Sequence, residues 1–123
     1  MFDHIGLHVS NYPVMRQFLV SALTPLGMTI TSEGEGWAMI GPKGPGQLWF
    51  GKGTPVASPI HIAFAAANHA QVRAFHAAAL AAGGKDNGSP GYRPKYHENY
   101  YGAFVIGPDG HNFEAVCHMP MIG

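Results

Sequence analysis

The feature that most constrains this chain is an internal repeat. Shifted by 57 residues, His4 to Gly27 lies over His61 to Gly84 without a gap, with eight identities in 24 positions. The identical pairs are His4/His61, Ile5/Ile62, Asn11/Asn68, Arg16/Arg73, Phe18/Phe75, Ala22/Ala79, Leu23/Leu80 and Gly27/Gly84. Only one of them is an alanine, so alanine richness does not account for the match. Self-similarity at a fixed offset marks one supersecondary unit used twice.

Each copy opens with a β-prone run, HIGLHVS or HIAFAAA, and then reaches an asparagine suited to cap a helix. The helix should run roughly twelve residues in each copy. Gly27 and Gly84 fall where it must stop, because glycine accepts the left-handed conformation without a Cβ clash. In copy one, strand candidates follow at Met28–Ser32, Trp37–Gly41 and Gln47–Gly51, separated by Gly and Pro turn signals. Copy two repeats this loosely, with Tyr100–Ile106 and Asn112–His118 as its clear last strands. The hairpin turn echoes as well, IGPKG at Ile40 recurring as IGPDG at Ile106. Both copies therefore read βαβββ, giving an α+β domain with a first module at 1–53, a linker at 54–59 and a second module at 60–123. Two prolines in the linker forbid both helix and central strand.

Composition narrows the function classes. At 123 residues, 46% of them hydrophobic and 11% charged, the chain should form one folded domain. Seven basic residues balance seven acidic ones, so no positive field draws nucleic acid or an anionic membrane. A single cysteine argues against a disulfide framework and for a reducing, cytoplasmic setting. There is no basic-then-apolar leader, and no apolar run approaches the roughly 20 residues of a bilayer span. The excess to be explained is eight histidines, since imidazole titrates near neutrality and ligates metals.

Strand alternation organises those histidines. His4, Gly6 and His8 should face away from the helix, as should His61, Ala63 and Ala65, with Ile5, Leu7 and Val9 beneath it. On the last strand Phe113, Ala115 and Cys117 form the apolar set, leaving Asn112, Glu114, Val116 and His118 on the open face. Two imidazoles and one carboxylate facing a concave sheet have the chemistry of a facial divalent-metal site with positions left open. The competing reading is of two hydrogen-bonded core histidines and a Glu114 paired with an arginine. His8 and His118 are candidates for supporting polar groups or an acid and base near the metal. The segment Arg93–Phe104, RPKYHENYYGAF, gathers Tyr96, His97, Tyr100 and Tyr101, which either close over a ligand or only pack; alternation alone does not fix which tyrosine faces inward.

Two patterns lead elsewhere. Gly46 to Lys52 has the spacing of a phosphate loop, but Gly53 replaces the Ser or Thr and Pro55 stands where a helix should begin, so the run reads as strand and turn. His69 and His76 lie at helical spacing, yet copy one has Tyr12 and Leu19 there, which reads as surface and packing.

With DHIGLHV at Asp3–Val9, IHIAF at Ile60–Phe64 and GPDGHNFEAV at Gly107–Val116, the whole chain resembles the vicinal oxygen chelate superfamily, which includes glyoxalase I, bleomycin-resistance proteins and extradiol dioxygenases. The resemblance implies paired βαβββ modules in a curved, mostly antiparallel sheet around a cavity. It implies one divalent metal ion (zinc, iron, manganese, nickel or cobalt) on His4, His61 and Glu114, with Glu114 also catalytic. It further implies a small oxygen-bearing substrate, lyase, isomerase or dioxygenase chemistry, and a homodimer, with modules pairing within or between chains; the open strand faces and the Tyr-rich segment put forward His8, Trp49, His97, Tyr101 and His118 as residues that line the substrate. The alternative is a metal-free, ligand-sequestering protein of the bleomycin-resistance kind. One departure stands out: matching the module ends sets Trp49, or Leu48 without a one-residue slip, opposite Glu114, where glyoxalase I has a fourth carboxylate ligand. Gln47 offers only an amide there.

Overall fold

The structure, a computed structural model, describes residues 1–120. The last three residues of the expected second module lie outside the described residues. β1 (His4–Val9) leads into α1 (Tyr12–Leu23), followed by β2 (Thr29–Gly34), β3 (Trp37–Gly41) and β4 (Gln47–Lys52). β5 (His61–Ala65) leads into α2 (His69–Ala81), followed by β6 (Lys85–Tyr92), β7 (Tyr101–Ile106) and β8 (Asn112–Cys117). Residues 54–60 carry no regular structure. The architecture is α+β and mostly antiparallel; among the described residues parallel pairing occurs only between β1 and β4 and between β5 and β8. The strands form two four-stranded sheets, ordered β1-β4-β3-β2 and β5-β8-β7-β6, that share no strand pair. β1 and β5 are thus both edge strands.

The helices start where the sequence places them. The Asn11 side chain accepts a hydrogen bond from the Val14 amide at 3.1 Å, and that of Asn68 from the Gln71 amide at 2.8 Å, each satisfying a donor that the first helical turn leaves unpaired. The helix ends differ between the copies. Gly27 is left-handed (φ 82°) as expected, but it closes a short 3₁₀ turn, Thr24–Leu26, beyond α1. In copy two Gly83 takes the positive φ of 98°. Gly84 serves packing instead: a Cβ there would strike Val105 and come within 3.0 Å of the Phe18 ring.

α1 buries Met15, Phe18, Leu19, Ala22 and Leu23, a single apolar stripe at helical spacing. Phe18 reaches Phe113 of β8, ring centroids 5.3 Å apart, and Phe113 stacks near Phe64 of β5 at 6.4 Å. A single hydrophobic core therefore runs through both modules, from Leu7, Val9 and Phe50 to Phe75 and Ala115. A polar tie joins them too: Asp109, in the turn before β8, accepts from the Ser10 amide at 3.0 Å and from the Ser10 hydroxyl. The core fixes the helix-facing side of each sheet, which leaves the opposite sides for chemistry.

Candidate metal centre

The second sheet holds the more developed site. Register pairs Ala63 of β5 with Glu114 of β8, and Glu114 in turn with Phe104 of β7. Because residues alternate along a strand, Glu114 and Phe104 share the face turned away from α2. The Glu114 carboxylate is fully buried. A buried carboxylate is costly without hydrogen bonds, and Glu114 has two partners: the His61 Nε2 at 2.7 Å from Oε1, and the Tyr100 hydroxyl, which donates to Oε2. Gly102 makes room for this cluster, since a Cβ there would lie 3.2 Å from Oε2 and 3.1 Å from the Tyr100 ring. Burial, reinforced by the adjacent carboxylate, pushes the Tyr100 phenol well above its ordinary value, so it stays a donor. His61 is half exposed and opens this buried pair to the surface.

On the first sheet, His4 Nδ1 donates to the Asp3 carboxylate at 2.8 Å, which leaves Nε2 as its free lone pair. His4 lines a shallow groove with Asp3, Gly6, His8, Met39 and Trp49. His8 meets Trp49 edge-on at 5.6 Å, and Trp49 lies nearly parallel to Trp37 at 6.4 Å. The register settles what stands opposite Glu114: Gly6 pairs with Trp49 as Ala63 pairs with Glu114, and Gly6 is the repeat equivalent of Ala63. Gln47 is committed elsewhere, its amide donating to Pro42 and Gly44 carbonyls at 2.6 and 2.9 Å to hold the IGPKG turn.

Of the three ligands expected, the fold brings His61 and Glu114 together and leaves His4 on the other sheet. No group of three or more His, Cys, Asp or Glu side chains gathers among the described residues. The other candidates divide similarly. His97 and His118 are exposed neighbours, ring centroids 5.7 Å apart, with His118 also 5.3 Å from Tyr100, so both border the Glu114 cluster. Tyr101 does not. It is buried against α2, stacked on His69 at 4.0 Å, because adjacent strand residues face opposite sides and Tyr100 already faces Glu114. His69 and His76 are both packed against the fold, His69 donating to the Met119 carbonyl at 2.8 Å and His76 to Asp86 at 2.9 Å. Tyr100 is one of the four candidates whose face the sequence leaves open; Arg93, whose guanidinium lies over the Phe104 ring at 5.5 Å, is not among them.

The donor set fits a divalent cation of the first transition row: an imidazole nitrogen and a carboxylate oxygen converge, the carboxylate is held by a phenol and the His4 ring by a carboxylate, the supporting pattern that orients metal ligands. No helix among the described residues is long and apolar enough to cross a membrane.

No protein-family model and no curated protein matches the sequence. Solved structures do. A glyoxalase/bleomycin resistance protein from Albidiferax ferrireducens is 26% identical, with 98% of this chain and 99% of that one covered and a TM-score of 0.80. A glyoxalase-related enzyme from Fulvimarina pelagi is 17% identical over 95% and 87% of the two chains, TM-score 0.73. A glyoxalase/bleomycin resistance protein/dioxygenase family enzyme from Burkholderia phytofirmans is 14% identical over 95% and 98%, TM-score 0.73.

Proposed function

The chain belongs by fold to the vicinal oxygen chelate superfamily, and from that premise we propose that it is a metal-dependent enzyme acting on a small substrate with adjacent oxygen atoms, its cation held by His61, Glu114 and His4. The observation that carries this reading is the fully buried Glu114 carboxylate meeting His61 Nε2 at 2.7 Å. A bound divalent cation supplies Lewis-acid polarisation of the substrate oxygens. Glu114, shielded from water, is the base that takes a proton from the substrate. Tyr100 fixes one carboxylate oxygen and turns the other towards His61, and Asp3 fixes the His4 ring with Nε2 outward.

His4 joins the set through a homodimer in which β1 of one copy pairs along β5 of another. Both are free edge strands, and within one chain an apolar cleft lined by Phe2, Ile5, Leu48, Ile62 and Phe64 separates them. Met1, Phe2 and Ile5 are exposed along that edge, the kind of surface that association covers.

Metal analysis of protein purified without chelator, calorimetric titration with zinc, manganese, iron, nickel and cobalt ions, and sedimentation test the proposal together. The expected result is one ion per site on a dimer, with Glu114→Gln weakening binding about 100-fold or more. Absence of stoichiometric binding by the dimer overturns it. The aromatic face of Trp37, Trp49 and His8 favours ligand sequestration as the second reading. Tight binding of a planar ligand, unaffected by Glu114→Gln and lost in Trp49→Ala, would select it.

A further inference from the structure

Arg93 occupies a seat for which the second sheet is specially shaped. Gly88 of β6 pairs with Phe104 of β7, so Ala63, Glu114, Phe104 and Gly88 form one transverse row across the four strands. The Arg93 guanidinium fills the end of that row. It lies over the Phe104 ring, donates to the Ser89 carbonyl at 2.8 Å and to the Tyr92 carbonyl at 3.4 Å. The glycines of β6 make this possible: a Cβ on Gly88 would come within 3.2 Å of Arg93 Nη2, and one on Gly91 within 3.1 Å of Nη1. Two register shifts in β6 flank Gly88 and bend the strand around the seat.

The guanidinium is thus immobilised but not neutralised. None of the ion pairs among the described residues includes it. Two of its five donors are spent on carbonyls, and the remainder are available to a ligand. A fixed cation on an open face, beside an aromatic ring that also borders His61 at 6.0 Å, is the arrangement that recognises an anion. The row sets the distance: Gly88 and Glu114 are two strand spacings apart, about 10 Å.

We infer that Arg93 binds the carboxylate of the substrate, so that the substrate class is a small organic acid whose anionic group lies about one six-membered ring away from the oxygens presented to His61 and Glu114. The inference rests on the proposed role of those two residues for the placing of the substrate oxygens, but the anion seat itself does not need the metal. Arg93 is on this account a specificity-determining residue.

The experiment has two arms. In the first, metal-free protein is titrated with benzoate and with its uncharged isostere benzamide while the Arg93 Nε–H signal and the Ser89 and Tyr92 amides are followed by NMR. Benzoate is expected to shift them saturably and benzamide to leave them in place. Arg93→Met should abolish the response, and Arg93→Lys, which keeps the charge but loses the fork, should retain a weaker one. In the second arm, metal-loaded protein is titrated with 3,4-dihydroxybenzoate and with catechol. The acid should bind about tenfold more tightly, as one charge-assisted contact provides, and Arg93→Met should bring the two within about twofold. Equal responses to benzoate and benzamide, or a benzoate response that survives in Arg93→Met, overturn the inference. A benzoate response without metal binding or catechol binding would instead uphold the anion seat and remove the metal reading.

Discussion

Trp49 stands in the first sheet where Glu114 stands in the second. The repeat sets Gly6 against Ala63, and the parallel pairing of each module's first and last strands sets Trp49 beside the one and Glu114 beside the other. The two sheets are thus built alike but equipped differently: one position carries a buried carboxylate held by a phenol and an imidazole, the other an indole packed on His8 and Trp37. In the metal site proposed above, the duplicated fold would offer symmetric places for four ligands, of which Trp49 takes the fourth.

Trp49→Glu should therefore add a ligand. In the dimer proposed above, loaded with metal, X-ray absorption is expected to show an additional oxygen in the coordination shell, with affinity raised about tenfold. The same variant loses the contacts with His8 and Trp37 and should be less stable by about 1–3 kcal/mol in denaturant unfolding. An unchanged coordination shell would show that the Trp49 position does not face the cation.

Tyr100→Phe removes the hydroxyl that donates to Glu114 Oε2 while keeping the ring against His118. A buried carboxylate oxygen that loses a donor costs about 1–3 kcal/mol, which urea titration can measure. Metal affinity should fall about tenfold, the usual cost of a group that orients a ligand. Tyr101→Phe is the control, since its ring faces α2 and stacks on His69, and it should leave metal affinity unchanged.

How much of this was legible beforehand follows from which signals are local. The asparagine caps and β3 follow from short-range preferences and stand where the sequence puts them. The position opposite Glu114 was readable only to within one residue, Trp49 or Leu48, because the 57-residue offset does not extend past the helices; the strand register decides for Trp49. β6 was not, because KDNGSPGY has no apolar alternation and contains Pro90, tolerated only because β6 is an edge strand. With β6 unread, the seat it forms for Arg93 was invisible. Choosing Tyr101 over Tyr100 was an error of one residue, and in a strand one residue exchanges the faces. The separation of His4 from His61 belongs to the relation between sheets, which no pattern within either repeat specifies.

His111 gives a pH signature apart from the candidate metal centre. Its ring is buried, its Nδ1 accepts from the Ile60 amide at 3.0 Å, and that bond ties the residue before β5 to the start of β8. Burial lowers its pKa below the ordinary 6.5, partly opposed by the charge of nearby Asp109. A folded value below the unfolded one means that the unfolded chain binds the extra proton first. This contribution to stability is full above 6.5 and is lost as pH falls through that value towards the depressed one. His111→Asn, which offers an acceptor that does not titrate, should flatten the stability profile in that window. Urea midpoints for the two proteins from neutral pH downwards measure the difference, and parallel profiles would exclude His111 as the source.

Ser10 and Asp109 join the modules across 99 residues of sequence, with Asp109 held at φ 61° in the left-handed region. Two effects are combined there and substitution separates them. Asp109→Gly relieves the backbone and loses both hydrogen bonds, Asp109→Ala loses the bonds and keeps the strain, and Asp109→Asn retains acceptor geometry in a residue that tolerates the left-handed conformation. Relative to the native chain, the expected order of destabilisation is Ala, then Gly, then Asn, with Ala costing about 2 kcal/mol or more because strain adds to the lost bonds. Since the bonds join α1's N-terminal approach to the turn before β8, the loss should appear as faster amide exchange at Ser10 and in the 107–111 turn before global unfolding. Exchange confined to one of these two segments would mean that the bond does not couple the modules.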